Sequence, residues 1–278
     1  MNKQEFLSIL NGELEKHKAW FNLLFYAVTL IVNTLGAFGI INGMSQKEVS
    51  DTYPTLITPR PSTFSIWFVI YVMVFISLIY MVVKHRDVRT QKLIDDISVP
   101  FWIANIANIL WIITFSFELI GLSTVLIFIF VIALAVINRR LSTPIEVGEK
   151  INAAAFGIYN GWLIIATVVN VAAFLVQIKW DRFGVAESTW TLITLIAAFV
   201  ITLLIQLRLR NAVLTLPLAW AYFGIWQEHQ PSGKFLGQYP SVALTAIIIA
   251  CLFVVVAILV FFMNGRCVLP KKMESVER

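Results

Sequence analysis

The chain has 278 residues, 59% of them hydrophobic and 13% charged, with a formal net charge of +5. Soluble domains carry roughly 25% charged residues, so this composition excludes a soluble globular protein and points to an all-α, multi-pass membrane bundle. No basic stripe with interleaved aromatics lies outside the apolar runs, which argues against a nucleic-acid partner.

Residues 1–19 are charged and mixed, with Phe6, Leu10 and Leu14 at helical spacing, and read as a short helix on the cytoplasmic membrane surface. They lack the apolar core of a signal peptide, and Glu5, Glu13 and Glu15 are foreign to a transit peptide. The expected location is therefore a bacterial cytoplasmic membrane. Runs free of Asp, Glu, Lys, Arg and His then cover Trp20–Gly43, Ser62–Val83, Pro100–Phe117 and Leu119–Asn138. Further runs are Ile151–Ile178, Ser188–Leu207, Asn211–Gln227 and Ser241–Asn264. Most reach the ~20 residues a bilayer-crossing helix needs; Asn211–Gln227 is short and contains Pro217. As one helix, Pro100–Asn138 would run to about 58 Å, twice the hydrocarbon thickness. It must fold back, and Glu118 with Gly121 marks the place. Eight spans result.

The charges agree with that number. Counting alternate ends, 16 of the 21 Lys and Arg fall on one side and 5 on the other, which by the positive-inside rule puts both termini in the cytoplasm. The loop Met44–Pro61 then lies outside, stiffened by Pro54, Pro59 and Pro61. Ser62 is placed to cap the next helix and Pro100 to sit in the first turn of the third. Exposed loop charges are cheap, so Glu118, Asp181 and Arg182 are given no role.

Trp20, Trp102, Trp180, Trp190 and Trp226 fall near span ends, where indoles favour the interface. Trp67, Trp111, Trp162 and Trp220 lie deeper. Three of these sit on helical stripes: Phe64-Trp67-Tyr71, Asn105-Asn108-Trp111 and Tyr159-Trp162-Ala166-Asn170. An indole N–H or an amide gains nothing from lipid, so these faces turn inward. They serve either as interhelical hydrogen-bond glue or as the walls of a pocket for a planar ring. The stripe Ala153-x-x-x-Gly157-x-x-x-Gly161 suits close helix packing, within one bundle or in a homodimer.

Pro61-x-x-Phe64-x-x-Trp67-x-x-x-Tyr71 resembles the second-helix motif of the tryptophan-rich sensory protein (TspO) family, which includes the mitochondrial translocator protein or peripheral benzodiazepine receptor. Asn108-x-x-Trp111 with Phe115 is similar to its third helix, and Tyr159-x-x-Trp162-x-x-x-Ala166-x-x-x-Asn170 to its fifth. The resemblance covers roughly Trp20–Val171. Pro59-Arg60-Pro61 stands where the family has Pro-x-Trp-x-Pro-Pro, and Ile158 where its fifth helix has Pro. The resemblance implies five helices (20–178) around a pocket beneath Met44–Pro61, followed here by three extra spans (179–264) and a cytoplasmic tail (265–278). It implies a ligand such as a tetrapyrrole, protoporphyrin or haem, with no cofactor required. Phe64, Trp67, Tyr71, Trp111, Tyr159 and Trp162 would be the aromatic contacts, and Asn108 and Asn170 the polar ones.

Three function classes follow. A ligand-binding or sensory protein uses the stripes directly. A transporter of an uncharged solute is the alternative, although no predicted span carries the ionisable group that coupled carriers place at depth. An enzyme lacks candidate groups: His17, His85 and His229 lie in separate loops or termini, and Cys251 and Cys267 form no metal site. Light-dependent porphyrin breakdown enters by resemblance alone.

Overall fold

The computed structural model describes residues 3–141 and 147–270, with side chains for 12–141 and 150–270. Among them the regular elements are all helical: α1 (Lys3–Ala37), α2 (Gln46–Thr52), α3 (Ile66–Lys84), α4 (Val88–Ser116), α5 (Ile120–Arg140), α6 (Val147–Gln177), α7 (Glu187–Leu209), α8 (Leu216–Glu228) and α9 (Pro240–Met263). Seven of these are long and apolar enough to cross a membrane; α2 and α8 are not.

Helix α1 runs unbroken from Lys3, so residues 3–19 continue into the first span and do not form a separate surface element. It is tied to α4 by three polar rungs. Asn22 Nδ2 donates to Ser98 Oγ at 2.9 Å, Thr29 Oγ1 to Asn105 Oδ1 at 2.7 Å, and Asn33 Nδ2 to Asn108 Oδ1 at 3.2 Å. The rung residues recur at steps of seven and four on α1 and seven and three on α4, the alternation that keeps one seam of two helices in register.

Two helix starts differ from expectation. Ser62 caps nothing; a 3-10 turn, Pro61–Ser65, leads into α3 without a side-chain cap. Helix α4 begins twelve residues before Pro100, capped by Asp87, whose Oδ2 accepts the Thr90 N–H at 2.9 Å. Pro100 is therefore inside the helix, where its missing N–H leaves the Asp96 carbonyl without its usual partner. Arg140 supplies one: its Nη1 donates to Asp96 O at 2.8 Å. The first turns of α4 bury Leu93, Ile94 and Ile97 but interleave them with charges, which is why a search for charge-free runs begins the helix too late.

The fold-back between α4 and α5 lies where the length argument puts it. Glu118 adopts φ 57°, between Ser116 at the end of α4 and Ile120 at the start of α5. Helix α6 is the central member, packed by α3, α5 and α8. Its small-residue stripe is filled from within the chain. A Cβ on Gly157 would overlap the Asn211 amide, and one on Gly161 the Leu214 carbonyl oxygen. Ala153, Gly157 and Gly161 therefore seat α8 and the segment before it, and leave no dimer face along that stripe.

The seventh predicted span, Asn211–Gln227, is a 13-residue helix (α8) preceded by irregular chain. Thirteen residues reach about 20 Å, short of the ~30 Å hydrocarbon layer. The remainder of the crossing is made by residues 210–215, whose side-chain and backbone polar groups are bonded to neighbours. Asn211 Nδ2 donates to Ala153 O at 2.9 Å and Asn138 Oδ1 at 3.3 Å, Gln206 Nε2 donates to Asn211 O at 2.7 Å, and Ala212 N to Val268 O at 2.8 Å. Non-helical backbone is tolerated at membrane depth when protein surrounds it in this way. At the far end Arg60 N donates to Gly224 O at 3.2 Å, so the segment does span the bundle. The contacts Lys18–Asp95, Arg140–Asp96, Asn211–Asn138 and Asn264–Arg210 gather the start of the first span and the end of the last on one face.

Gly161→Ala is expected to lower stability in detergent by about 1–3 kcal/mol through overpacking against the Leu214 carbonyl, read as an earlier thermal transition. A transition at the wild-type temperature would show that α8 shifts aside freely.

Candidate functional site

A cavity of about 750 Å³ opens under the α1–α3 connection. Its walls come from α1, α2, α3, α4 and α6, and from the α8–α9 connection. Six of the eight residues expected at a site line it: Phe64, Trp67, Tyr71, Trp111, Trp162 and Asn170. Asn108 and Tyr159 lie directly beneath.

The aromatic wall is self-supporting. Trp67 stacks on Tyr71 at 5.4 Å and meets Trp162 edge-on at 6.1 Å and Tyr159 edge-on at 6.0 Å. Phe64 meets Trp162 at 5.7 Å, nearly perpendicular. Edge-to-face pairs at these separations are attractive, each by about 0.5–1.5 kcal/mol beyond area burial, so the rings hold one another upright. Trp162 is only 2% exposed, whereas Phe64 at 42% stands at the mouth.

The floor is a hydrogen-bonded chain across four helices. The Tyr71 hydroxyl (α3) donates to Asn33 Oδ1 (α1) at 3.2 Å, Asn33 Nδ2 to Asn108 Oδ1 (α4) at 3.2 Å, and Asn108 Nδ2 to the Tyr159 hydroxyl (α6) at 3.2 Å. Asn108 is fully buried and both its amide nitrogen and its amide oxygen bond across helices here. Asn170 has a similar position on the side wall. Its Oδ1 accepts Trp111 Nε1–H at 2.9 Å, and its Nδ2 donates to Thr124 Oγ1 at 2.7 Å and Ser123 Oγ at 3.1 Å. Both asparagines make interhelical bonds, and through these bonds they fix the rings.

The mouth carries charge. Lys47 Nζ meets Asp51 Oδ2 at 2.5 Å within α2, and Lys234 Nζ reaches Asp51 Oδ1 at 3.6 Å from the α8–α9 connection. The Lys47 hydrogen bond holds the Asp51 carboxyl below the usual carboxylate range, so it is ionised at neutral pH. Glu228 Oε2 accepts the Lys234 backbone N–H at 2.9 Å. Beside it His229 is 2% exposed, its ring 4.6 Å from Phe235, and burial pushes its pKa below the ordinary value and keeps it neutral. Glu118, read from sequence as an idle loop charge, braces the lid: the Tyr53 hydroxyl donates to its carboxylate at 2.9 Å, and Gln177 Nε2 to its carbonyl at 2.8 Å.

A protein-family model described as TSPO-like protein matches residues 19–259. The chain belongs to that family. No curated protein and no solved structure matches it. The TSPO-like match runs past Val171 through α7 and α8 and most of α9, so the last three helices are part of the family's extent and not an appendage. The structure agrees, because Glu228, Lys234 and Phe235 line the same cavity as Trp67 and Trp162.

Several lining residues were missed by the stripes. Asn33 was legible: Asn22, Tyr26, Thr29 and Asn33 follow one another at steps of four, three and four, an inward polar face on α1. Lys47 and Asp51 are an i,i+4 pair in a loop read only for its prolines. Nothing local marks Glu228, Lys234 or Phe235; only the packing of α8 against the Pro61–Ser65 turn brings them to the mouth. Trp220, read as deep, is 40% exposed, yet its Nε1 donates to Thr63 O at 2.8 Å.

Asn170→Leu removes the Trp111 acceptor and strands the indole N–H in the bundle. The expected loss is about 1–2 kcal/mol, with altered Trp111 emission; an unaltered melting curve and spectrum would mean the wall does not depend on this amide.

Proposed function

We propose that this TSPO-like membrane protein binds a planar, largely apolar ring system in the cavity beneath the α1–α3 connection, with tetrapyrroles such as protoporphyrin or haem as the ligand class. The observation that carries the reading is a cavity of about 750 Å³ with Phe64, Trp67, Trp111 and Trp162 together in its wall. That volume is within the ~300–1,000 Å³ typical of small-molecule sites. Flat π faces and a polar mouth suit a ligand with an apolar ring and a solvated edge.

Binding is favoured over passage. The floor chain Tyr71–Asn33–Asn108–Tyr159 closes the cavity, and beneath it lie the buried rings Phe101, Phe130 and Phe156. A solute moving across the bundle would have to break that chain. We place the Lys/Arg-rich face, with the chain's two ends, on the cytoplasmic side of a bacterial membrane, and the cavity mouth outside.

The described residues lining the cavity include no His, Cys or Met, and the Tyr71 hydroxyl is engaged with Asn33. Ring stacking, not iron ligation, therefore dominates. Protoporphyrin and haem are expected to quench tryptophan fluorescence with affinities within about threefold of each other, a gap below ~1 kcal/mol. Trp67→Phe with Trp162→Phe is expected to weaken both about tenfold, the loss of roughly 1.4 kcal/mol of stacking. Unchanged affinity in the double variant would remove the ligand from this wall, and solute flux into proteoliposomes would instead establish the transport reading.

A further inference from the structure

A second concavity lies far from the aromatic cavity, on the membrane-facing side of the α4–α5 pair. It has a volume of about 320 Å³ and is lined by Val99, Pro100, Ile103, Ile129, Ile132, Ala133, Val136 and Arg140. We propose that it is a binding site for one anionic phospholipid, with an acyl chain along the groove and the phosphate on Arg140.

Shape and depth support this. Pro100 and Ala133, both small and buried, form the base. Ile103, Ile129 and Ile132 stand as ridges on either side, with exposures of 45%, 42% and 59%. On helices that cross a membrane, such residues face lipid. From Ile129 to Arg140 the groove follows α5 for about 16 Å at ~1.5 Å per residue, roughly half the ~30 Å hydrocarbon layer. The groove is thus one leaflet deep and ends at a cation.

That cation is held in place. Because Pro100 has no N–H, the Asp96 carbonyl is free to accept Arg140 Nη1 at 2.8 Å. This bond holds the guanidinium at the end of the groove, and among the described residues no acceptor takes its other donors, which a phosphate would engage. Among the described residues, the acidic neighbours are already paired. The Asp96 carboxylate is engaged by Lys92 at 2.5 Å and the Asp95 carboxylate by Lys18 at 2.5 Å, while Arg139 adds a second exposed cation next in sequence. An apolar trough with a fixed cation at the headgroup level complements an anionic amphiphile; a zwitterionic lipid brings no net charge to it.

The test is native mass spectrometry of the full chain released from mixed phosphatidylglycerol and phosphatidylcholine micelles. Wild type is expected to retain one phosphatidylglycerol in preference to phosphatidylcholine. Arg140→Gln is expected to lower that preference about fivefold, the effect of one cation near the surface, and Arg140→Lys to restore most of it. Ala133→Leu fills the base of the groove while keeping the cation, and is expected to reduce retention of both lipids. Equal retention of the two lipids by wild type would overturn the proposal, as would a preference that survives Arg140→Gln. A second copy of the chain displacing the lipid, seen as dimer mass lost in Ala133→Leu, would overturn it too.

Discussion

The chain of hydrogen bonds Tyr71–Asn33–Asn108–Tyr159 is the constraint from which the rest of the site follows. It links α3, α1, α4 and α6 at one level of the bundle. In hydrocarbon an unpaired amide has no water to turn to, so each of these groups is satisfied only while all four helices keep their positions. Individually such bonds are worth about 1 kcal/mol or less; collectively they set a register. The rungs Asn22–Ser98 and Thr29–Asn105 extend the same register along the α1–α4 seam. The level at which the chain crosses the bundle is where the cavity stops.

Above that level the walls are rings, and ring geometry explains why the space stays open. Trp67 is clasped between Tyr71, Tyr159 and Trp162, and Trp162 also receives the edge of Phe64. Rings locked edge-to-face cannot rotate flat to fill the void without losing several contacts together. Trp111 is held apart by a different device, its N–H on Asn170. Lid and mouth are fixed from outside by polar braces: Tyr53, Glu118 and Gln177 on one side, Lys234 and Asp51 on the other. Being exposed, the latter pair contributes little energy; it joins two connections that are distant in sequence.

Much of this was legible in the sequence because helical periodicity assigns residues to faces. The stripes through Trp67, Trp111 and Trp162 converge as expected, and length alone demanded the turn at Glu118. Periodicity does not say which group a polar side chain will meet. Asn108 reads equally well as a ligand contact or as glue, and only the structure shows that it meets Asn33 and Tyr159. Hydropathy failed in two definable ways. It could not see the twelve residues that begin α4, since their buried face (Leu93, Ile94, Ile97) is interleaved with charges and gives no charge-free run. Nor could it see that Asn211–Thr215 crosses part of the bundle without helix. That segment depends on partners from Ala153, Asn138, Phe253 and Val268, each more than thirty residues away in sequence. Glu118 failed for a third reason: cost arguments say where a charge is tolerated, not what it holds.

The three C-terminal helices belong to the site, and the Pro59-Arg60-Pro61 turn shows why. The related pattern carries a tryptophan within this loop; this chain has none there. Here Trp220 of α8 donates its indole N–H to the Thr63 carbonyl, and the Gly224 carbonyl accepts the Arg60 N–H. Gly224 is required by the closeness of that approach, since a Cβ there would overlap Thr63 Oγ1. The turn that aims Phe64 and Trp67 into the cavity is therefore locked by a helix more than 150 residues further along the chain. That helix is in turn held by α9, through Thr215 on the Phe253 carbonyl and the Tyr222–Phe253 ring pair. A five-helix fragment ending near Gln177 would keep the floor of the cavity, which lies wholly within α1, α3, α4 and α6. It would lose the clamp on the α3 entry turn and the Glu228–Phe235 side of the mouth. Floor and mouth thus depend on different parts of the chain, and the family match through residue 259 corresponds to the extent needed to build both.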